Sequence, residues 1–306
     1  MNTVRRGRRS TAHARMTAAA VFGLICLCTM SLVISALQNR EAAPDRVYGM
    51  FEWSEESIDN PNKTGDLIQA LSVTRWYQEI PEKLDRDKTI SFMRYMNQQN
   101  VEVYALTGSV EWGFEEDGAS VTRQMKTVAD YNDSVEEAYR FRGIMTDIEP
   151  YVTSRFREDP AYYMDIYVKG MRAAYEYAAS RELRVIQCIP RHYDDQGLTA
   201  YLEQLIAYAC DEAAVMNYGI GNEVEMIKTE AELCEKYDKG LHCILEFQEI
   251  GVHGLTENET YRQRGIEAAL KTWDRVEEAY PDIPIVRDYH WTLPLYDMTR
   301  NADGGK

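Results

Sequence analysis

Residues 141–150 read F-R-G-I-M-T-D-I-E-P, an apolar run that ends in two carboxylates and is stopped by a proline. Side chains alternate between faces along a strand, so Asp147 and Glu149 point the same way from its C-terminal end. Two like charges held that close push their proton affinities apart, which yields one acid and one charged helper. Cleaving a glycosidic bond needs that combination, a proton for the leaving oxygen and negative charge beside an oxocarbenium-like centre. Glu149, at the strand tip, is the candidate general acid. Asp147 sits one pleat deeper, where its charge helps Glu149 keep a proton or orients a substrate group.

Short β-rich runs of this kind recur along the chain and alternate with longer helical patterns. The strand candidates are 47–53, 71–77, 101–107, 143–149, 183–190, 213–218, 241–248 and 283–291. Helix-like stretches cover 88–99, 122–140, 161–181, 198–210, 224–239 and 258–280, with a weaker one near 64–70. Alternation argues for parallel strands covered by helices, and eight repeats over 46–298 predict a single α/β domain, a closed (β/α)8 TIM barrel. A barrel gathers chemistry at the C-terminal ends of its strands. The predicted ends are polar: Glu52 and Trp53; Arg75 and Tyr77; Asn217 and Tyr218; Glu246 and Gln248; Tyr289, His290 and Trp291.

Roles follow from residue type. Tyr218 offers a hydroxyl from across the barrel, and Trp291 a flat floor under a sugar ring. Glu246 supplies an alternative mechanism as nucleophile opposite Glu149; its structural reading is a buried partner of Arg75 or Arg287. Asn217 and Gln248 carry amides suited to sugar hydroxyls or to unpaired backbone. Glu52, Arg75, Tyr77 and Tyr289 complete the expected substrate-binding rim. His242 opens a strand, far from chemistry, and reads as structural. A metal site on His192 and His290 with Asp194 or Asp288 lacks compact ligand spacing. No Gly-rich phosphate loop or G-x-S-x-G turn is present, so no cofactor and no metal are expected.

Composition narrows the partners. At 45% hydrophobic and 27% charged the chain is ordinary globular material. A net charge of −16 argues against nucleic acid, which selects basic surfaces. The N-terminus is different: Arg5, Arg6, Arg8, Arg9 and Arg15 form a basic tail over 1–15 ahead of residues 16–37, which carry no charge. At about 1.5 Å per residue that segment is long enough to cross a bilayer. The arginines place its start in the cytoplasm and the barrel outside the membrane. An uncleaved signal anchor is favoured over a cleaved signal peptide, because the apolar run is long and no small-x-small site follows Leu37. Residues 38–45 read as a linker and 299–306 as a disordered tail. Cys188, Cys210, Cys234 and Cys243 match no zinc spacing and read as buried thiols, with a disulfide left open.

With these residues in place, the chain resembles the family-18 glycoside hydrolases, the chitinase group, and a wider set of little-characterised bacterial barrels. That family's fourth strand reads roughly F-D-G-x-D-x-D-x-E, against Phe141 to Glu149 here. The resemblance implies that Glu149 is the proton donor and that Asp147 steadies an N-acetyl group. Met216-Asn217-Tyr218 is similar to the family's M-x-Y on strand 6, and Trp291 to its floor tryptophan. Two positions depart from the pattern: Met145 replaces an inner aspartate, and Gly219 replaces the aspartate after the strand 6 tyrosine. Both departures put substrate-assisted cleavage of N-acetylated sugars in doubt. A non-catalytic carbohydrate-binding barrel is the alternative, with a metal-dependent deacetylase behind it.

Overall fold

A computed structural model describes residues 46–303. Eight parallel strands close into a barrel in chain order, β1 (Tyr48–Glu52), β2 (Arg75–Glu79), β3 (Glu102–Thr107), β4 (Gly143–Thr146), β5 (Arg184–Pro190), β6 (Glu212–Met216), β7 (Gly240–Glu246) and β8 (Ile285–His290). β8 returns to β1, with Gly49 opposite Asp288. Each strand is followed by a helix: α1 (Gly65–Ala70), α2 (Arg86–Gln98), α3 (Ala119–Asp133), α4 (Pro160–Ser180), α5 (Thr199–Tyr208), α6 (Lys228–Tyr237), α7 (Ile266–Ala279) and α8 (Thr292–Asp303). The predicted (β/α)8 barrel is therefore the observed architecture.

Local chemistry explains where the helices start. The Asp85 carboxylate accepts the backbone N–H groups of Asp87 and Lys88, both at 3.1 Å, and so caps α2. Asp159 does the same for Tyr162 ahead of Pro160, which opens α4 with its φ already set. Each helix turns its apolar stripe onto the outer face of the barrel. Met50, Trp76, Ile144, Val185, Val215 and Leu245 meet that stripe from the strands, and together they form the larger core.

A second, smaller core fills the inside of the barrel. It contains Phe51, Tyr77, Tyr104, Leu106, Met145, Ile186, Cys188, Ala214, Met216 and Ile244. Trp53, Tyr151, Tyr218 and Trp291 rest on it from above. Below it a charged layer closes the base. His242 lies between Asp288 at 2.7 Å and Glu212 at 2.9 Å, and Glu212 also holds Arg75 at 2.9 Å and Arg184 at 2.6 Å.

Some boundaries shift from the sequence reading. Leu71 and Val73, expected in strand 2, wrap the end of α1 instead, where the Val73 N–H donates to the Ile68 carbonyl and Ser72 takes a left-handed φ of 55°. The strand then runs Arg75–Glu79, so Arg75 begins it rather than ending it. Residues 258–265 are loop, and Gly265, at φ +81°, turns the chain into α7. α8 runs on past 298 into the stretch read as a tail. The four cysteines Cys188, Cys210, Cys234 and Cys243 are free and buried. The tail 1–15, the apolar segment 16–37 and the linker 38–45 lie outside the described residues. Among the described residues no helix is long and apolar enough to cross a membrane.

Candidate functional site

The barrel mouth opens into a cavity of about 570 Å³. Asp147 and Glu149 line it from the tip of β4, as do Tyr218 after β6, Glu246 and Gln248 at the end of β7, and Trp291 after β8. These sequence-predicted residues are brought together. Two local features hold the β4 tip in place. The Tyr167 hydroxyl donates to the Ile148 carbonyl at 3.0 Å. Gly108 lets β3 approach, because a Cβ there would meet the Asp147 carbonyl oxygen at 1.9 Å.

The other predicted rim residues lie elsewhere, and strand geometry gives the reason. Trp53, Met216, Tyr218 and His290 face inward, so their neighbours Glu52, Asn217 and Tyr289 must face the helices. Glu52 accepts the Ser57 hydroxyl at 2.8 Å. Asn217 donates to the Glu223 carbonyl at 2.8 Å. Tyr289 packs edge-on against Trp273, with ring centres 4.9 Å apart. Arg75 and Tyr77 do face inward, but from the lower half of the barrel. Arg75 belongs to the basal charge layer, and Tyr77 donates from within the barrel to Asp288 at 2.9 Å.

Glu246 is engaged by four donors. Its Oε1 accepts the backbone N–H of Phe247 and of Gln248, both at 2.8 Å, and its Oε2 accepts Gln248 Nε2 at 3.0 Å and lies 2.8 Å from His290 Nδ1. Its structural partner is thus His290, and neither Arg75 nor Arg287; the latter is bound to Asp274 and Glu277. Burial opposes the charge on Glu246, but His290 and the Gln248 donors outweigh it and hold the carboxyl below its ordinary range. Burial likewise favours a neutral imidazole at His290, and Glu246, Asp147 and Glu149 reverse that, raising its proton affinity.

Asp147 behaves in the opposite way. Burial is the main cause, and the adjacent Glu149 charge adds to it; together they raise Asp147 to about 7, against smaller opposing effects of His290 and Cys188. Asp147 is the deeper residue of the pair, which is why burial acts on it so strongly. Asp147 Oδ1 is buried without a hydrogen-bond partner. Beneath it Met145 points into the barrel core in the same inward row. The Tyr151 hydroxyl donates to Glu149 Oε1 at 2.5 Å. At Gly219 a Cβ would meet Met226 Sδ at 2.0 Å, so that position is closed to any side chain while Met226 keeps its place.

His290 is the residue sequence reasoning undervalued. The signal was there: it stands in register with Glu246 on the neighbouring strand, so the two side chains share one face. Trp53, Tyr151, Arg191 and His192 also line the cavity. The loop after β7 adds His253, Leu255 and Glu259. Among the described residues no group of three His, Cys, Asp or Glu side chains is arranged to hold a metal ion. Asp288, offered as a ligand, is committed to His242 and Tyr77 at the base.

No family model matches the chain, and no curated protein matches it. Solved structures do share its fold. A chitinase from Bacteroides thetaiotaomicron is 12% identical with a TM-score of 0.52, covering 83% of this chain and 93% of its own. A mutant intracellular xylanase from Thermoanaerobacterium saccharolyticum, in complex with xylotriose, is 12% identical with a TM-score of 0.51, covering 80% and 85%. A D-psicose 3-epimerase from Clostridium cellulolyticum, with D-tagatose, is 12% identical with a TM-score of 0.50, covering 85% and 92%. The chain is a TIM barrel of the architecture shared by chitinases, xylanases and sugar epimerases.

Proposed function

We propose that the protein is a glycoside-hydrolase-like barrel that cleaves a glycan bound across the mouth. One observation carries the reading: Asp147, Glu149 and Glu246 line a single cavity, where burial favours a proton on Asp147 and the His290 bond favours charge on Glu246. Divergent proton affinities of neighbouring groups are what separates an acid from a charge stabiliser.

In this scheme Glu149, at the strand tip, delivers the proton to the leaving oxygen, with the buried Asp147 one pleat deeper on the same face. Tyr151 fixes the Glu149 carboxyl so that its free oxygen faces the leaving group. Glu246 holds negative charge beside the oxocarbenium-like centre, kept ionised by His290. A nucleophilic Glu246 would first have to release one of its four donors, so electrostatic stabilisation is the role its environment favours. Trp53 and Trp291 offer aromatic faces for sugar rings, and Tyr218 and Gln248 offer polar groups to their hydroxyls. Met145 beneath Asp147 and the closed space at Gly219 leave no acidic partner in either place, which argues against a mechanism that relies on the substrate's own N-acetyl group. The uncharged segment 16–37 behind its arginines supports a membrane-anchored protein with the barrel on the extracytoplasmic side.

The test is turnover of a glycan panel by the full-length protein in detergent, beside Glu149→Gln. We expect at least one glycan to be cleaved and the variant to lose about 10²–10⁴-fold in rate. Equal cleavage by the variant removes Glu149 from the mechanism, and binding without cleavage by either protein identifies a carbohydrate-binding barrel instead. The anomer released first separates covalent attack by Glu246, which retains configuration, from attack by water, which inverts it.

A further inference from the structure

Arg191 stands out on the cavity wall. It follows β5 beside His192, and its Nε donates to the Tyr218 carbonyl at 3.1 Å. That bond orients the guanidinium, but its two terminal nitrogens have no hydrogen-bond acceptor and no ion-pairing carboxylate among the described residues. Other arginines drawn in from solvent are paired: Arg75 with Glu212, Arg262 with Glu249 and Arg287 with Glu277. The adjoining depression, which Arg191 also lines, holds Asp194, Asp195 and Glu225, none of them in an ion pair with it; Asp194 accepts the Thr229 hydroxyl at 2.6 Å. A guanidinium with its fork unfilled, oriented and partly desolvated on a ligand cavity, is a receptor for a planar or tetrahedral anion.

We propose that the glycan taken by this pocket is anionic, with a sugar carboxylate or sulfate seated on the Arg191 fork. The proposal rests on the glycan-cleaving reading above and specifies its substrate class. Two of the cavity's acids tolerate such a ligand: burial favours the neutral form of Asp147, and Glu246 is paired with His290, while Glu259 at the rim accepts the Thr256 hydroxyl at 2.9 Å. The net charge of −16 slows the approach of an anion at low salt, so selection depends on the short-range fork and not on long-range steering.

The experiment measures binding by calorimetry to full-length Glu149→Gln protein, which prevents turnover. The probes are oligogalacturonate and hyaluronan oligosaccharides beside their carboxyl-reduced counterparts, and sulfated beside unsulfated galactan oligosaccharides. We expect one anionic series to bind about 10–100-fold tighter than its neutral counterpart, as a charge-assisted pair allows. The series that shows the preference identifies the group as carboxylate or sulfate. Adding Arg191→Met brings that ratio close to one, while Arg191→Lys keeps part of it; a ratio is insensitive to a general loss of folded protein. Neutral probes binding as well as or better than anionic ones overturn this inference and leave the glycan reading standing. A preference that survives Arg191→Met overturns it as well. Failure of every probe of both kinds to bind overturns the glycan reading and this inference together.

Discussion

β7 and β8 build a histidine–carboxylate pair twice, once at the base of the barrel and once at the mouth. At the base β7 supplies His242 and β8 supplies Asp288; at the mouth β7 supplies Glu246 and β8 supplies His290. All four side chains face inward. The surroundings differ. His242 is sealed between two carboxylates, with Arg75, Arg184 and Tyr77 satisfying what remains. The mouth pair borders an open cavity in which Asp147 Oδ1 has no partner and a carboxyl keeps a proton toward neutrality. The same chemistry, fully paired, closes a fold; left partly unpaired, it is available to a ligand.

The comparison makes separable demands on stability and activity. Its largest expected effect is at the mouth: Glu149→Gln loses about 10²–10⁴-fold in glycan cleavage, with a thermal midpoint close to that of the parent. A matching collapse in stability would mean that the mouth is structural after all. At the base the reverse holds. His242→Leu takes the histidine from Asp288, which keeps only the Tyr77 hydroxyl, while Glu212 retains Arg75 and Arg184; breaking a buried charge pair from one side costs about 3–5 kcal/mol. Denaturant unfolding measures it, and a variant as stable as the parent would remove the basal layer from the account.

pH sharpens the contrast. Burial lowers the proton affinity of His242, but Asp288 and Glu212 outweigh it and raise the group from 6.5 to about 9. A raised histidine stabilises the fold fully below 6.5, and that contribution fades as pH rises through about 9. Thermal midpoints scanned across this range should fall in the parent and fall less in His242→Leu. His290→Asn acts on catalysis instead. Without the imidazolium, burial raises Glu246, so the acid limb of the pH–rate profile moves to higher pH. A profile that keeps its acid limb would detach His290 from Glu246. The smallest effect expected is from Tyr151→Phe, which removes one hydrogen bond to Glu149 and costs up to about tenfold in rate.

Much of this was legible in the sequence because barrels have a strong grammar. Alternation of runs sets the fold, and polar strand ends mark the mouth, which is how Asp147, Glu149, Glu246, Gln248, Tyr218 and Trp291 were found. The misses have separate causes. Glu52, Asn217 and Tyr289 sit at strand ends, but on the outward parity, which depends on the register of their neighbours and not on closeness to the end. Arg75 was misplaced because Leu71 and Val73 look like strand residues and serve as the apolar end of α1. His290 was undervalued because its meaning comes from a cross-strand partner far away in sequence. Which carboxyl of the Asp147–Glu149 pair is raised depends on burial, which spacing alone does not encode.

The central claim is that Asp147 holds a proton near neutrality in the folded protein, and infrared titration of its carboxyl band tests it without any substrate. A protonated carboxyl signal should disappear as pH rises through about 7 in the parent and be missing from Asp147→Asn. A second signal, from the buried and unpartnered Glu230 raised to about 8, should persist in both. Parent and Asp147→Asn spectra that superpose from about pH 5 to about pH 9 would contradict the account.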